Sequence, residues 1–231
     1  MWFWFAVIAL LCWSGSDLFS KIGCQDEKDK YSHLKMVTAV GIVMGLHAAY
    51  EIFIGGVEIN MDVILTYLPV SALYIVSMAV GYIGLRYIEL SISSPICNSS
   101  GAIVAVLTII TVGIGDEVPP VALVAVALVC IGVVGLGFTE ANEDEELRRA
   151  RQDESNRHYA KSWIAIFIPI VYCLLDALGT FADSRVLELI DEDSANVAYE
   201  LTFLVVGLVS LFYVTVVKKQ RLVAKQEAPK Y

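Results

Sequence analysis

The sequence has few of the residues on which catalytic, metal and nucleic-acid sites are usually built. Its three histidines, His33, His47 and His158, are far apart in a chain of 231 residues. Its 5 cysteines are scattered without a C-x-x-C spacing, so neither a metal site nor a redox pair is predicted. No G-x-x-x-x-G-K-[ST] motif occurs, so the sequence does not predict ATP-driven transport by this chain. No basic recognition motif occurs either, so it does not predict binding of nucleic acid. We therefore expect no enzymatic activity, no cofactor and no metal.

Charge is also scarce over long stretches of the chain. Charged residues make up 18% of it and hydrophobic residues 57%, with a mean hydropathy of +0.67. About 20 apolar residues cross a bilayer as a helix. Seven such spans are predicted, at 2–22, 35–55, 64–86, 94–115, 119–139, 162–186 and 195–217. No basic residues precede the first, so it predicts a retained span rather than a cleaved signal. The sequence thus indicates an all-α, polytopic membrane bundle of seven transmembrane helices.

The basic residues predict the orientation of the chain in the membrane. If the spans alternate in direction, 15 of the 16 lysines and arginines fall on one side, and only Arg185 falls on the other. Basic loops stay in the cytoplasm. We therefore expect a multi-pass protein of the cell membrane with its N-terminus outside and its C-terminus inside. The charged linker 140–161 and the basic tail 218–231 are then cytoplasmic.

A short pattern occurs twice inside apolar runs. Trp13–Asp17 and Tyr172–Asp176 each contain an aromatic residue, three further residues and an aspartate. A carboxylate inside a span costs about 3 kcal/mol on insertion scales, so it usually has a function. Five spans precede the linker, and an odd number turns the second copy upside down. The sequence predicts a five-helix repeat at 1–139 and a partial inverted copy of two helices at 162–217, an arrangement found in secondary transporters.

Other charged residues within the spans have two interpretations each. Asp17 and Lys21 are four positions apart, so they share a helix face and can pair, or Lys21 extends to the interface. Asp17 is either a cavity carboxylate that binds a cation or a proton, or a charge that reaches the interface. His47 and Glu51 form a predicted interfacial pair at the outer end of span two. Glu200, early in span seven, is a candidate for proton relay.

Two further spans carry polar stripes. Tyr172, Asp176, Thr180 and Asp183 follow one another at steps of four, four and three and lie on one face of span six, with Asp183 expected near the outer surface. That face predicts a transport cavity, a helix–helix contact or a shallow position near the outer surface. Asn98 and Ser99 follow a proline early in span four, where the helix is loosened. They either line the cavity or pack against another helix.

Several motifs together resemble the EamA-type transporters of the drug/metabolite transporter superfamily. The first is Trp13–Asp17 with Lys21, similar to the family's first-helix pattern. The second runs from Gly84 to Pro95 and is similar to the connection between its third and fourth helices. Gly115–Glu117 and Gly132–Gly135 are similar to its G-E turn and glycine-containing fifth helix. The resemblance implies two five-helix repeats and transport of a small metabolite by alternating access.

The resemblance also implies where substrate or an ion binds. The predicted binding residues, taken from the resemblance together with the polar patterns, are Trp13, Asp17, Asn98, Ser99, Tyr172, Asp176 and Thr180. The chain departs from the family because it stops near span seven. With one copy of spans three and four, Asp176 and Thr180 are expected to face hydrocarbon, so we expect a homodimer or a partner chain that supplies helices.

Three other functions are compatible with some of these features. A truncated, non-transporting chain or accessory subunit is the main alternative, because three helices of the second repeat are not present. Seven spans with the N-terminus outside also suggest a receptor or a light-driven protein. A retinal pump needs a lysine inside its last span, and 195–217 has none. A membrane enzyme needs clustered catalytic residues, which the dispersed histidines do not provide. A secondary transporter is the function that the sequence favours.

Overall fold

The structure, a computed structural model of the chain, describes most of the protein. It describes residues 2–24, 29–87, 90–113, 120–142, 144, 146, 149–150 and 162–220. Within these ranges every regular element is helical and no strand occurs. Most of the charged linker 140–161, and the tail beyond residue 220, lie outside the described residues, so the domain boundaries there stay predictions.

The described helices follow the predicted spans closely. They are α1 (Trp2–Cys24), α2 (Ser32–Tyr50), α3 (Met61–Gly84), α4 (Leu90–Cys97), α5 (Ser100–Val112), α6 (Pro120–Ala141), α7 (Ser162–Val186) and α8 (Glu192–Phe212). Wider, π-helical turns extend α2 through Glu51–Gly55 and α8 through Tyr213–Val217.

Six helical stretches of the described chain are long and apolar enough to cross a membrane, and Pro120–Leu136 is a shorter apolar one. The prediction of an all-helical membrane bundle is confirmed at this level. The inverted repeat stays a prediction.

The fourth predicted span is not one continuous helix. It is divided into α4 and α5 by a turn at Asn98 and Ser99. The Ser99 hydroxyl donates to the carbonyl of Ile96, 2.7 Å away, and so competes for a backbone acceptor of the helix. Pro95 lies one turn earlier and has no backbone N–H to donate. These two local effects favour a break here, and the break leaves polar backbone and side-chain groups inside the span.

The closest helix contact joins α2 and α8 through two glycines. A Cβ added to Gly41 would lie 2.8 Å from the carbonyl oxygen of Phe203 and 3.1 Å from the Cα of Gly207. Thr38 adds a hydrogen bond from its hydroxyl to the Gly207 carbonyl, at 3.2 Å. Small residues allow helix backbones to approach in this way inside a membrane, where packing replaces the hydrophobic effect. A larger side chain at either glycine would separate the two helices.

Helix α3 lies against both α7 and α8 and forms the centre of the bundle. On the α7 side, a Cβ added to Gly81 would lie 2.8 Å from the ring of Tyr172. A Cβ added to Gly179 would lie 3.1 Å from the ring of Tyr74. On the α8 side, Val70 and Ala198 are fully buried in one cluster. Glycine and alanine therefore determine how closely α7 and α8 approach α3.

Helix α1 is much less packed than the others. Its buried residues are confined to the last turn, from Ser20 to Cys24, where Cys24 is fully buried. The Lys21 ammonium donates to the carbonyl of Leu85 at the end of α3, at 2.6 Å. Ser32, at the start of α2, donates to the carbonyl of Cys24 at 2.9 Å. The C-terminal end of α1 is thus packed into the bundle. The side chains of the turns before Asp17 are mostly exposed.

Side-chain caps start two of the long helices. The Asn60 side chain accepts a hydrogen bond from the Val63 amide at 2.9 Å and begins α3. Asp191 accepts from the Ser194 amide at 2.9 Å and begins α8. Because the first amides of a helix have no partner within it, these acceptors determine where each helix begins.

Candidate functional site

A cavity of about 570 Å³ lies between six of the helices. Side chains from α1, α2, α3, α4, α7 and α8 line it, and α5 and α6 contribute none of the described lining residues. This volume is within the range of pockets that bind small molecules, roughly 300–1,000 Å³. The cavity is the feature of the described structure that most resembles a binding site.

The cavity is elongated along α3. Its lining includes Tyr67 near the start of this helix and Leu85 just past its end, with Tyr74, Met78 and Tyr82 between them. At 1.5 Å per residue, the 18 positions from Tyr67 to Leu85 cover about 27 Å. The hydrocarbon core of a bilayer is about 30 Å thick. The cavity therefore follows α3 over nearly the depth of a membrane.

Asp17 lies in the wall formed by α1 and α4. Its carboxylate accepts a short hydrogen bond from the Ser94 hydroxyl and a second from the Asn98 amide at 3.2 Å. The pairing with Lys21 that the sequence allows is not what the structure shows, because Lys21 points to the carbonyl of Leu85 instead. Asp17 is thus held by neutral donors at the cavity, as the first of its two interpretations expects.

The polar stripe of α7 also faces the cavity. Tyr172, Asp176, Thr180 and Asp183 all line it. The Tyr74 hydroxyl of α3 donates to the Thr180 hydroxyl at 3.1 Å. Asp176 and Thr180 therefore face the cavity beside α3, and the partner chain expected to cover them stays a prediction. Helix α3 covers the stripe because Gly81 and Gly179 let α3 and α7 come close together.

The structure brings six of the seven predicted binding residues to this one cavity. They are Trp13, Asp17, Asn98, Tyr172, Asp176 and Thr180. Ser99 is the exception. Its side chain is buried beside the Cys173 thiol of α7, at 3.4 Å, and it does not line the cavity. Ser99 takes the alternative role that the sequence allowed, which is packing between helices.

Sequence reasoning missed most of the aromatic lining. Tyr67, Tyr74 and Tyr82 on α3 and Tyr199 on α8 all line the cavity. The rings of Tyr74 and Tyr199 meet edge to face with centroids 5.8 Å apart. The signal was present on α3, where steps of seven and eight place the three tyrosines on one face. Nothing in the sequence showed that this face meets the α7 stripe.

Two acidic residues outside the predicted set complete the polar lining. Asp183 accepts a hydrogen bond of 2.6 Å from the Tyr67 hydroxyl. Glu200 lies 2.8 Å from Nδ1 of His47, and Nε2 of His47 lies 3.6 Å from Glu51. The predicted His47–Glu51 pair is confirmed, with Glu200 as a further member. The other oxygen of Glu200 is buried and has no hydrogen-bond partner among the described residues.

The charged side chains among the described lining residues are all acidic. Asp17, Asp176, Asp183 and Glu200 line the cavity, and no lysine, arginine or histidine does so in the described ranges. No group of three or more His, Cys, Asp or Glu side chains in the described part of the chain is arranged to hold a metal ion. The cavity is acidic and aromatic along its length.

Comparisons of the chain with protein-family models, with curated proteins and with solved structures found no match in any of the three.

Proposed function

We propose that the protein is a secondary transporter that carries a small metabolite through the cavity by alternating access. The observation that carries the proposal is the cavity itself, which follows α3 for about 27 Å and is lined by carboxylates. Carboxylates inside a membrane are costly, and they are usually kept where a substrate or an ion path needs them. A structural helix contact would not require an open volume beside them.

The broken helix supports the same function. Transporters place interrupted helices at their binding sites, because the interruption leaves polar groups free to contact substrate. Here the break between α4 and α5 falls at Asn98, whose amide donates to Asp17 in the cavity wall. The break and the carboxylate are therefore parts of one site.

The distribution of packing suggests which part moves. Helices α2, α3, α7 and α8 are joined through glycine contacts and form a packed body. Helix α1 forms one wall of the cavity but is buried only in its last turn. In the proposed cycle α1 swings about that turn, where Lys21 is attached to Leu85. The movement opens and closes the α1 wall of the cavity, in which Asp17 is bonded to Ser94 and Asn98.

The proposal also includes membership of the EamA-type family and the orientation of the chain in the membrane. The motifs that resemble EamA-type drug/metabolite transporters predict the inverted repeat. The basic residues predict that the N-terminus is outside and the C-terminus is in the cytoplasm of a cell membrane. A reporter fused after Tyr231 is expected to be active only in its cytoplasmic form.

Transport is tested with the full chain reconstituted in lipid vesicles. Uptake of a panel of radiolabelled small metabolites is measured for the wild type and for Asp17→Asn and Asp176→Asn. We expect at least one solute to be taken up, and each variant to lower its initial rate roughly tenfold or more, since each removes a charge from the path. The control is Asp62→Asn, the same change at an exposed position in the first turn of α3. Equal rates in all variants would contradict the proposal.

The second candidate function is an accessory subunit that needs a partner chain. Its partner would lie against the apolar surface of α1 and α6, where Trp4 is 69% exposed and Val134 is 72% exposed, a surface that lipid otherwise covers. A homodimer or a separate partner would cover this surface. Mass measurement in mild detergent distinguishes the two candidates: a stable monomer with Asp17-dependent uptake supports the transporter and excludes the accessory role.

A further inference from the structure

Among the described lining residues of the cavity, no basic side chain balances Asp17, Asp176 or Asp183, whereas Glu200 has His47 beside it, outside the lining. Asp17 is held by Ser94 and Asn98, and Asp183 is held by Tyr67, all of which are neutral donors. These bonds orient the carboxylates and bring no positive charge to them. A cationic ligand would supply the missing charge, whereas an anionic ligand would be repelled along the whole path.

The carboxylates form a row and are not gathered at one point. Asp176 and Asp183 are two turns apart on one face of α7, which is about 10 Å along the helix. A divalent metal ion needs several oxygens within about 2.6 Å of a single point. A row of separated carboxylates suits a ligand whose positive charges are themselves separated.

Tyrosine rings occupy the wall between these carboxylates. The Tyr172 ring packs at Gly81, one turn before Asp176, and Tyr74 bonds to Thr180 between Asp176 and Asp183. Aromatic faces attract ammonium groups, by about 0.5–2 kcal/mol depending on exposure. They also pack against methylene groups. The wall therefore alternates between sites for charge and sites for a hydrocarbon chain.

We propose that the cavity binds linear organic cations that carry two or more amino groups joined by methylene segments. This assignment rests on the proposed function and names its substrate class. Each ammonium group lies beside one carboxylate of the row, and each methylene segment lies along the tyrosines and Met78. A single amine satisfies one carboxylate only and so binds more weakly.

The assignment is tested by calorimetric binding to the full chain in nanodiscs of zwitterionic lipid, which do not themselves attract amines. The probes are spermidine, putrescine, n-butylamine and the dicarboxylate glutarate. Salt at about 0.15 M screens the exposed surface charges. We expect spermidine to bind most tightly, n-butylamine to bind more weakly and glutarate not to bind. Equal binding of n-butylamine and spermidine, or any saturable binding of glutarate, would overturn the assignment.

Variants locate the binding in the cavity. Asp176→Asn and Asp183→Asn are each expected to weaken spermidine binding roughly tenfold to a hundredfold, the range for removing a charged hydrogen-bond partner. Asp176→Glu keeps the charge and is expected to restore most of the affinity, which a folding defect would not allow. Asp62→Asn makes the same change outside the cavity and is expected to leave binding unchanged. Equal losses in Asp62→Asn and Asp176→Asn would show surface attraction and overturn the proposal.

The results of the binding and uptake tests can reject the substrate class and the transport function independently of each other. Uptake of a neutral or anionic solute without spermidine binding would leave a transporter and reject this substrate class. Spermidine binding that depends on Asp176, in a chain that moves no solute, would support the cation site and reject transport.

Discussion

Helices α1 and α7 carry the same short pattern but lie in different surroundings. Each has an aromatic residue followed, four positions later, by an aspartate that lines the cavity. Trp13 of α1 is 64% exposed, whereas the Tyr172 ring of α7 packs against α3 at Gly81. In the most apolar stretch of α1, 6% of the residues are buried, against 22% in α7.

The difference comes from the neighbouring helix and not from the pattern. Helix α7 has α3 beside it, and glycines on both helices remove the side chains that would hold them apart. Helix α1 has a comparable glycine, Gly15, but a Cβ added there would meet nothing within 4 Å. A local pattern places an aspartate on a polar face of its helix. Whether that helix is closely packed, as α7 is, or largely exposed, as α1 is, depends on the neighbouring helix.

The largest difference in stability between the two helices is expected when the aromatic rings of Tyr172 and Trp13 are removed in turn. Tyr172→Ala is expected to lower the free energy of unfolding by about 3 kcal/mol, because the lost ring leaves a void between α7 and α3. Trp13→Ala is expected to cost less than about 1 kcal/mol, since its ring is mostly exposed. Unfolding of both variants is followed by circular dichroism in the same detergent. Equal losses would show that α1 is as tightly packed as α7.

A smaller test uses the two glycines. Gly179→Leu is expected to cost about 2 kcal/mol by overpacking. The Tyr74 ring, 3.1 Å from the added Cβ, is fixed by its bonds to Thr180 and its contact with Tyr199, so it cannot easily give way. Gly15→Leu is the matched control and is expected to stabilise slightly, because leucine is a better helix former by up to about 1 kcal/mol. The same unfolding measurement applies. Destabilisation by Gly15→Leu would indicate a neighbour for α1 that the structure does not contain.

The smallest test concerns the turns that follow the two helices. After α1, the N-cap residue of α2 is Tyr31, whose side chain makes no capping bond. After α7, Asp191 caps α8, and its hydrogen bond from the Ser194 backbone amide holds the pKa of the exposed carboxyl below its usual range. Because the folded-state pKa is lowered, the stabilisation is present above the unfolded pKa of about 3.9 and is lost as the pH falls through the folded pKa.

Asp191→Asn keeps a side-chain acceptor but removes the charge. We expect the melting temperature of the variant to be slightly below that of the wild type at pH 7, and the difference to be smaller at about pH 3. A difference between the two proteins that is the same at both pH values would show that the charge of Asp191 does not contribute.

Much of the architecture could be predicted from the sequence, for a physical reason. A helix that crosses a membrane must satisfy its own backbone, so long apolar runs reveal its position without knowledge of its neighbours. The bounds predicted for span six, 162–186, are those of α7. The break within span four was not predicted, although Pro95 and Asn98 were recognised as loosening the helix. Whether these residues interrupt a span depends on which groups are available to satisfy the freed backbone.

The candidate site was only partly predictable. The face of α7 that carries Asp176 and Thr180 follows from helical periodicity, as does the position of Asp17 on α1. The hydrogen-bond partners of these residues do not follow from periodicity. Asp17 bonds to Ser94, 77 positions away, and Tyr67 bonds to Asp183, 116 positions away. The sequence allowed Lys21 to pair within its own helix, and it instead reaches the end of α3.

The sequence by itself determined that the chain forms long apolar helices, where they lie and which of their faces are polar. Hydrocarbon length and the 3.6-residue repeat are local properties of the chain, and they need no partner. Only the tertiary structure decided that the tyrosines of α3 meet the aspartates of α7 and that α1 stays loosely packed. Those results depend on how closely two helices approach, which is set by pairs of small residues distant in sequence, such as Gly81 opposite Tyr172 and Gly179 opposite Tyr74.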